Sequence, residues 1–144
     1  MNTLFLVRGL PGSGKSSLAR RLVSRRSLAA DDYFMDNGVY HFDPSRLAEA
    51  HADCQARCVQ ALSQGDVAVA NTFSCRWELQ PYLVMAELAG ARIIVIDLFD
   101  GGCTDSELEA RNEHGVPLEG IARMRARWEH DWERATRAPL GRGK

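Results

Sequence analysis

The chain has 144 residues, of which 45% are hydrophobic and 26% charged, and its formal net charge is −1. This composition is typical of a folded globular protein and excludes an intrinsically disordered chain. No apolar run approaches the ~20 residues that a membrane-spanning helix requires. We therefore expect one domain over residues 1–144 and no membrane partner. A strand is predicted almost at Met1, in place of a signal peptide, which favours a cytoplasmic location.

A glycine-rich segment is the strongest signal in the sequence. Leu4–Val7 is a short apolar run that predicts a buried strand, and Ser17–Val23 follows with a helical pattern. Between them, residues 9–16 read G-L-P-G-S-G-K-S and fit the phosphate-loop pattern G-x-x-x-x-G-K-[ST] at each fixed position. A strand before the loop and a helix after it are the context that this pattern requires. The alternative is a glycine-rich turn before an ordinary helix.

The chemistry of this loop predicts a nucleoside triphosphate site. Glycines let the backbone N–H groups and the helix N-terminus point at phosphate oxygens. Lys15 is expected to place its charge at the β- and γ-phosphates, and the Ser16 hydroxyl to hold Mg²⁺. The predicted nucleotide-binding residues of the loop are Gly9, Pro11, Gly12, Ser13, Gly14, Lys15, Ser16 and Ser17.

A second strand is predicted at Ser27–Ala30, and two consecutive acids, Asp31 and Asp32, follow it. Open α/β sheets bind ligands beyond the carboxyl ends of their strands, so we expect these acids to lie beside the phosphate loop. An Asn-Gly pair within residues 36–40 then predicts a turn.

Helices and strands continue to alternate along the rest of the chain. Asp43 and Pro44 predict the start of a helix that Gly65 ends. The later predicted elements are a strand at Val67–Ala70, a helix at Leu79–Leu88, a strand at Arg92–Leu98 buried on both faces, a short helix opened by the capping box Thr104–Glu107, and a last helix carrying Ile121, Met124, Trp128 and Trp132 on one face. We interpret that apolar face as core packing, and residues from Ala138 as a tail rich in Arg, Gly and Pro. This alternation predicts an α/β fold in three layers around a mostly parallel sheet.

The cysteines and arginines carry weaker signals. Cys54 and Cys58 lie one helical turn apart, and we interpret them as buried thiols because no paired metal ligands accompany the four cysteines. Arginines cluster in two stretches, which favours either a solvated face or a surface for polyanions. The clustered residues are Arg20, Arg21, Arg25, Arg26, Arg123, Arg125, Arg127, Arg134, Arg137 and Arg142.

Several features favour a small kinase among phosphate-loop proteins. The sequence has no guanine-reading N-K-x-D motif, and it is short for the sensor and arginine-finger modules of a mechanical ATPase. The two acids at Asp31 and Asp32 stand where an acceptor hydroxyl needs a base, and Arg111 is a candidate lid arginine for the transferring phosphoryl group. The alternatives are a turn cap for Asp31 and a surface helix position for Arg111.

Six segments in order span nearly the whole chain: L-V-R-G-L-P-G-S-G-K-S-S-L-A-R, D-D-Y-F, N-G-V-Y-x-F-D-P, N-T with W-E after it, R-N-x-H-G-V-P, and a closing W-E. Together they resemble the polynucleotide kinase-like P-loop proteins. That group includes 5′-hydroxyl polynucleotide kinase domains, the ATP-binding domain of the Nedd4-binding-protein-2 type, and phage-borne kinases that phosphorylate the hydroxymethyl group of a modified uracil within DNA. The resemblance implies a P-loop kinase fold with a short helical lid, ATP and Mg²⁺ as cofactors, and DNA as acceptor, in the host cytoplasm if the chain is phage-encoded.

The resemblance also implies roles for individual residues. The first acid of D-D-Y is the family's general base, which points to Asp31, and the arginine of R-N contacts donor phosphates, which points to Arg111. With Lys15, these are the expected catalytic residues. The family usually has an acid before N-T, where this chain has Ala70. The resemblance therefore leaves metal binding to Ser16 and Asp32, with Asp31 beside them.

Two further differences concern the acceptor. The 5′-kinases have an arginine after D-D-Y and more basic residues in the lid, where this chain has Phe34 and His114. This leaves room for a nucleic-acid hydroxyl other than a 5′ end. The alternative functions are a kinase of a free nucleoside, nucleotide or other small metabolite, and a slow ATPase that serves as a nucleotide-dependent binding module.

Overall fold

The structure, a computed structural model, describes residues 1–135. Arg137, Arg142 and the predicted tail from Ala138 lie outside the described residues, as does the side chain of Arg134. No helix within the described range is long and apolar enough to cross a membrane.

Four parallel strands form the central sheet, and the strand that leads into the phosphate loop lies in its interior. Their order across the sheet is β2 (Ser27–Leu28), β5 (Val67–Asn71), β1 (Thr3–Gly9) and β6 (Arg92–Phe99). Leu6 at the middle of β1 pairs with Val69 on one side and Val95 on the other. Because β1 is interior and leads directly into the phosphate loop, the loop emerges near the middle of the sheet, at the carboxyl ends of its strands.

A separate antiparallel hairpin lies between β2 and the next helix. It consists of β3 (Met35–Asp36) and β4 (Val39–Tyr40), joined by the predicted Asn-Gly turn. Asn37 and Gly38 have φ values of 50° and 81°, the left-handed conformations that a tight two-residue hairpin requires. The sequence predicted the turn but not the two short strands that flank it.

Six α-helices complete the described fold: α1 (Lys15–Val23), α2 (Leu47–Leu62), α3 (Arg76–Ala89), α4 (Asp105–Arg111), α5 (Leu118–Arg127) and α6 (Trp132–Ala135). Three 3₁₀ turns lie at Ser24–Arg26, Ala30–Phe34 and Pro44–Arg46. The predicted caps are confirmed. The Asp43 side chain accepts a hydrogen bond from the Ser45 N–H at 3.0 Å, and Thr104 and Glu107 form the capping box of α4.

Helices cover both faces of the sheet, which confirms the three-layer α/β fold. On one face, Val7, Ala68 and Ala70 pack against Ala19 of α1. On the other, α2 and α3 bury a larger core against the sheet: Leu4, Leu6, Val67, Val69, Cys54, Cys58, Leu79 and Tyr82. Each fully buried aliphatic side chain contributes about 1.5–3 kcal/mol to folding. Cys54 and Cys58 are therefore core residues, as predicted, and burial raises the pKa of the Cys58 thiol to about 12.

Two predictions about the strands are wrong. The second strand stops at Leu28, and the acids that follow it lie in a 3₁₀ turn. The strand β6 is not buried on both faces, because it lies at the sheet edge and none of its residues is fully buried. A β-branched run has the same sequence signal at an edge as in an interior position.

The predicted last helix is also divided. The helix α5 ends at Arg127, and α6 begins only at Trp132. Ile121 and Trp128 are buried in a cluster with Leu10 and Leu108, whereas Trp132 packs against the main core. The interpretation of these side chains as core packing is confirmed, but they belong to two different cores.

One buried cation ties the sheet to the C-terminal part of the described chain. Arg8, at the end of β1, has no exposed surface, and its guanidinium lies 2.8 Å from an Asp97 carboxylate oxygen. It donates to the carbonyls of Phe73 and Glu129 and lies 4.1 Å from the ring of Trp128. Arg8 therefore fixes the residue before the phosphate loop to three separate segments.

Candidate active site

The phosphate loop (residues 9–16) has the backbone shape that its glycines predict. Gly12 and Gly14 have φ values of 85° and 98°, which side chains other than glycine rarely adopt. A Cβ built on Gly12 would lie 2.6 Å from the Leu108 carbonyl oxygen, so the loop contacts α4 without room for a methyl group. The loop is consequently held directly against α4, the short helix that the capping box predicted.

The Ser13 hydroxyl packs against the first glycine of the loop. A Cβ on Gly9 would lie 2.2 Å from the Ser13 hydroxyl oxygen, so only glycine leaves that oxygen its space. The Ser13 hydroxyl is buried and has no hydrogen-bond partner within the described residues. Pro11 is buried beside it, whereas Ser16 and Ser17 are exposed in the first turn of α1.

Lys15 is a half-buried cation without a contacting carboxylate. Its Nζ lies 3.4 Å from the Leu10 carbonyl oxygen, and no acid of residues 1–135 lies within ion-pair distance of it. Burial lowers the pKa of the Lys15 ammonium to about 8, and the negative charge of Asp31 acts in the opposite direction. A poorly compensated ammonium at a helix N-terminus is suited to binding an anion.

Asp31, in the 3₁₀ turn after β2, contacts the hairpin and the loop that carries His114. Its Oδ1 accepts a hydrogen bond from the Tyr40 hydroxyl at 3.0 Å, and its Oδ2 lies 3.6 Å from Nε2 of His114. Burial is the main cause that raises the pKa of Tyr40, and the Asp31 charge adds to it, so the phenol stays a proton donor to the carboxylate. The Asp31 side chain is 43% exposed and therefore accessible to a ligand.

Asp32 faces a different set of partners. Its Oδ2 accepts from the Ala29 N–H at 3.0 Å and lies 3.3 Å from the Arg57 guanidinium. These contacts cap the 3₁₀ turn and join it to α2. Both contacts engage Oδ2, and the predicted metal role of Asp32 stays a prediction.

Arg111 is the last residue of α4 and is exposed. Its Nη1 lies 3.1 Å from the Cys103 sulfur. The structure places it in the predicted lid, but it does not bring it into contact with Lys15 or Asp31 within the part of the chain that it describes. Its predicted role at the transferring phosphate stays a prediction.

The lid (residues 105–127) consists of α4, a connecting loop and α5. Leu10 of the phosphate loop is buried between Leu108 of α4 and Ile121 of α5. The Leu10 N–H also donates to the Phe99 carbonyl at 2.8 Å. The two lid helices are therefore packed on the phosphate loop itself, and the loop between them is the part that faces Asp31.

Residues 4–130 match a family described as an AAA domain, which is most of the chain. The chain belongs to the AAA domain family. This AAA domain is 39% identical to human (Homo sapiens) NEDD4-binding protein 2, over 84% of this chain and 7% of that protein. It therefore spans only a small part of that relative.

Two solved structures share the fold of this AAA domain. A chain of the Pnkp1/Rnl/Hen1 RNA repair complex matches with a TM-score of 0.67 and 20% identity, covering 92% of this chain and 46% of that one. A gluconokinase from Sinorhizobium meliloti 1021 matches with a TM-score of 0.57 and 18% identity, covering 97% of this chain and 86% of that one. The family and these similarities confirm the predicted resemblance to polynucleotide kinase-like P-loop proteins and the P-loop kinase fold.

The residues present in this AAA domain fit the ATP and Mg²⁺ that a P-loop kinase fold typically uses. The unpartnered Ser13 hydroxyl and the poorly compensated Lys15 ammonium are both suited to phosphate oxygens. No cluster of three or more His, Cys, Asp or Glu side chains suited to a metal occurs among residues 1–135. Mg²⁺ bound with nucleotide needs only one or two protein oxygens, because phosphates and waters complete its shell. The exposed Ser16 hydroxyl meets that requirement.

Sequence reasoning missed two residues beside Asp31. Tyr40 and His114 belong to the segments N-G-V-Y and R-N-x-H that carried the resemblance, but neither received a role. Their rings lie 4.1 Å apart between centroids. The only sequence signal was that both residues lie in segments that carried the resemblance. Nothing in those segments indicated that their side chains contact each other or Asp31.

Proposed function

We propose that this chain is an ATP-dependent kinase that transfers the γ-phosphate of ATP to a hydroxyl of a nucleic acid. The acceptor is either a 5′-hydroxyl end or the hydroxymethyl group of a modified pyrimidine in DNA. One observation carries the proposal: the phosphate-loop cation Lys15 and the accessible acid Asp31 follow the carboxyl ends of two parallel strands, β1 and β2, of the same sheet. Phosphoryl transfer requires a donor-side cation and an acceptor base at the same end of the sheet.

On the donor side, the loop binds and orients the phosphates. The backbone N–H groups around Gly12 and Gly14 and the Ser13 hydroxyl hold phosphate oxygens, and Lys15 supplies charge at the β- and γ-phosphates. Mg²⁺, held by Ser16 together with the nucleotide, would neutralise charge on the same phosphates. The P-loop kinase fold supports this assignment.

On the acceptor side, Asp31 orients the hydroxyl and accepts its proton. The hydroxyl oxygen forms a bond to the γ-phosphorus while the bond from that phosphorus to the β–γ bridging oxygen breaks, and ADP leaves. Arg111 approaches the transferring group from the lid and stabilises its charge. Tyr40 keeps one Asp31 oxygen occupied, so the other is the proton acceptor.

The nucleic-acid acceptor is supported by the six ordered segments that carry the resemblance to polynucleotide kinase-like proteins. The Pnkp1/Rnl/Hen1 chain, which belongs to an RNA repair complex, has the same fold. A kinase of a free nucleoside or metabolite and a slow ATPase are the competing outcomes of the test below.

The test is incubation of the protein with γ-labelled ATP and Mg²⁺ in the presence of different acceptors. The panel contains 5′-hydroxyl DNA and RNA oligonucleotides, DNA with 5-hydroxymethyluracil, and free nucleosides. We expect label on at least one oligonucleotide, and a loss of roughly three orders of magnitude in Lys15→Ala. Label only on free nucleosides, or only acceptor-independent release of phosphate, would refute the proposal and support one of the alternatives.

A further inference from the structure

Four side chains form one cluster at the proposed acceptor site: Asp31, Tyr40, Phe42 and His114, here called the acceptor cluster. The Tyr40 ring contacts both other rings, with its centroid 4.1 Å from His114 and 6.3 Å from Phe42. The planes of Tyr40 and Phe42 differ by 11°, and those of Tyr40 and His114 by 31°. The strand β4 thus places the Tyr40 ring next to the proposed base, with the Phe42 ring parallel to it and the His114 ring tilted against it.

The two oxygens of Asp31 have different surroundings. Oδ1 accepts the Tyr40 hydroxyl at 3.0 Å, which is a hydrogen bond. Oδ2 faces His114 Nε2 at 3.6 Å, which is longer than a hydrogen bond. The oxygen available to an acceptor hydroxyl is therefore the one that His114 covers.

The loop between the lid helices holds His114 in this position. The Asn112 side chain accepts from the Val116 N–H at 2.9 Å and donates to the Val116 carbonyl at 3.1 Å, which closes the loop around His114. His114 Nδ1 is buried and has no hydrogen-bond partner in the described part of the chain. The His114 ring is thus positioned by its face contact with Tyr40 and by the approach of Nε2 to Asp31, and neither ring nitrogen makes a hydrogen bond that withdrawal would break.

We propose that His114 occupies the place of the acceptor's ring, and that a nucleobase displaces it by stacking on Tyr40. The His114 ring has the features that such an acceptor needs: a flat heteroaromatic face against Tyr40 and a polar edge directed at Asp31 Oδ2. Tyr40 is then a specificity residue for acceptors that carry an aromatic base, and His114 is a competitor supplied by the lid. This inference rests on the proposed function, because it concerns the acceptor side of the same site.

Displacement has a consequence for affinity. A ligand that binds only when His114 is withdrawn has its affinity reduced by the fraction of molecules in that state. Removing the imidazole therefore strengthens acceptor binding, whereas removing an ordinary binding residue weakens it. The sign of the change distinguishes a competitor from a substrate contact.

The experiment measures binding of small probes that carry one base or none, by calorimetry, with a non-hydrolysable ATP analogue and Mg²⁺ present. The probes are thymidine 3′-phosphate, 5-hydroxymethyl-2′-deoxyuridine 3′-phosphate and base-free 1,2-dideoxyribose 3-phosphate. We expect at least one base-carrying probe to bind about 5- to 150-fold more tightly than the base-free probe, which is the range that stacking on an aromatic side chain contributes.

Three variants separate the parts of the inference. Tyr40→Leu should remove most of the difference between base-carrying and base-free probes, whereas Tyr40→Phe should keep it because the ring remains. His114→Ala should bind the base-carrying probe about 3- to 10-fold more tightly than the parent. Binding of the ATP analogue, measured in each variant, shows that the donor side of the fold is intact.

Different binding results would contradict the stacking on Tyr40 and the displacement of His114. Equal binding of base-carrying and base-free probes by the parent, or a base preference that survives in Tyr40→Leu, would overturn the stacking. Unchanged or weaker binding by His114→Ala would overturn the displacement. If probes bind with the expected base preference but no acceptor is phosphorylated, the proposed kinase function fails while this inference holds. If oligonucleotides are phosphorylated without base preference, the reverse is true.

Discussion

Lys15 shows how one side chain can be prepared for a ligand by what surrounds it. Burial lowers its pKa to about 8 from the usual 10.5, and the loop offers it a carbonyl contact but no carboxylate. Burial therefore makes the charged form less favourable than it is in water, and we expect bound phosphates to reverse this effect. Asp31 has the complementary position, with one oxygen held by Tyr40 and the other directed towards the lid.

The lowered pKa of Lys15 predicts a specific pH dependence. The unfolded chain holds the Lys15 proton up to about pH 10.5, whereas the folded protein releases it near pH 8, so the free energy of unfolding should rise between these values. ATP should restore the proton, so the affinity for ATP should fall above pH 8.

Lys15 and Lys144 are the only lysines in the sequence. Reductive ¹³C-methylation followed by NMR titration with and without ATP would therefore report Lys15 with little overlap. An unshifted Lys15 pKa in the free protein would contradict the prediction.

For Arg111, the prediction concerns rate more than binding. If the guanidinium meets the phosphoryl group only in the transition state, Arg111→Ala should lower kcat by about 100-fold or more and change the KM for ATP by only a few-fold. Arg111→Lys should recover part of the rate, because an ammonium lacks the planar fork. Arg123→Ala, at an exposed position of α5, is the control and should keep parental kinetics. A rise in KM with unchanged kcat would instead assign Arg111 to ground-state binding.

The two neighbouring acids should differ sharply in their effect on transfer. Asp31→Asn keeps the shape and removes the base, so phosphoryl transfer should fall by at least 100-fold while ATP still binds. Asp32→Asn should keep transfer within a few-fold, because Asp32 contacts Ala29 and Arg57 instead of the acceptor cluster. Steady-state kinetics and ATP titrations of both variants make the comparison. Reversed severities would show that the assignment of the base to Asp31 is wrong.

At the scale of elements, the donor loop and the lid are parts of one packed unit. Leu10 leaves the loop to enter the apolar cluster under α4 and α5, and Gly12 leaves no space between the loop and α4. Rotation of the whole lid away from the loop would expose this cluster to water. Opening of the acceptor side is therefore expected in the connecting loop that carries His114.

This contact predicts an unequal response of two glycines to alanine. Gly12 and Gly102 have φ values of 85° and 81°, so either substitution adds strain of about 1–2 kcal/mol. A Cβ on Gly12 would also lie 2.6 Å from the Leu108 carbonyl oxygen, whereas a Cβ on Gly102 meets open space. The Gly12→Ala variant should lose about 2 kcal/mol more unfolding free energy than Gly102→Ala. Urea unfolding without nucleotide tests this. Equal losses would mean that α4 moves away from the added methyl group without a cost in stability.

The elements themselves were largely predictable, because each depends on a local pattern. The phosphate loop, the Asn-Gly turn and the caps at Asp43 and Thr104 are signals a few residues long, and all lie where the sequence placed them. The position of β6 at the sheet edge was not predictable in this way. It depends on how the crossovers order the strands, which no local pattern in β6 encodes.

The candidate site was predictable in part, for the same reason. Lys15, Ser16 and Asp31 follow from motifs, but their roles stay predictions until they are measured. The stack of Tyr40 on His114 joins segments that are distant in the chain, and a ring contact has no periodicity from which to infer it. Arg8 was overlooked because an arginine in a strand gives no sign that it will be buried.

At the scale of the whole molecule, Arg8 joins parts that are far apart in sequence. Its hydrogen bonds and ring contact link β1 to the segment after β5, to β6, and to the turn that follows α5. All of these partners lie at the end of the sheet from which the phosphate loop emerges. The stability of the fold and the rigidity of the site therefore depend on the same buried cation.

Loss of this cation should be costly. Arg8→Met leaves the Phe73 and Glu129 carbonyls and the Asp97 carboxylate without their partner, and we expect a loss of about 3 kcal/mol in unfolding free energy. For a chain of this size the melting temperature should fall by roughly 10 °C. Arg20→Met, at an exposed position of α1, should change stability by less than about 0.5 kcal/mol. Calorimetry of both variants makes the comparison, and similar melting temperatures would show that Arg8 is not an anchor.

The Arg8 contacts also bear on where such a unit can be cut from, or inserted into, a longer polypeptide. The relative in Homo sapiens is far longer than the region it shares with this chain. A fragment that stopped after α5 would still contain all four sheet strands, both lid helices and every predicted site residue. It would nonetheless lack Trp128 and Glu129, and Arg8 would be left beside a water-exposed gap. Glu129 is thus the earliest C-terminal boundary that keeps all the Arg8 contacts at the start of the phosphate loop.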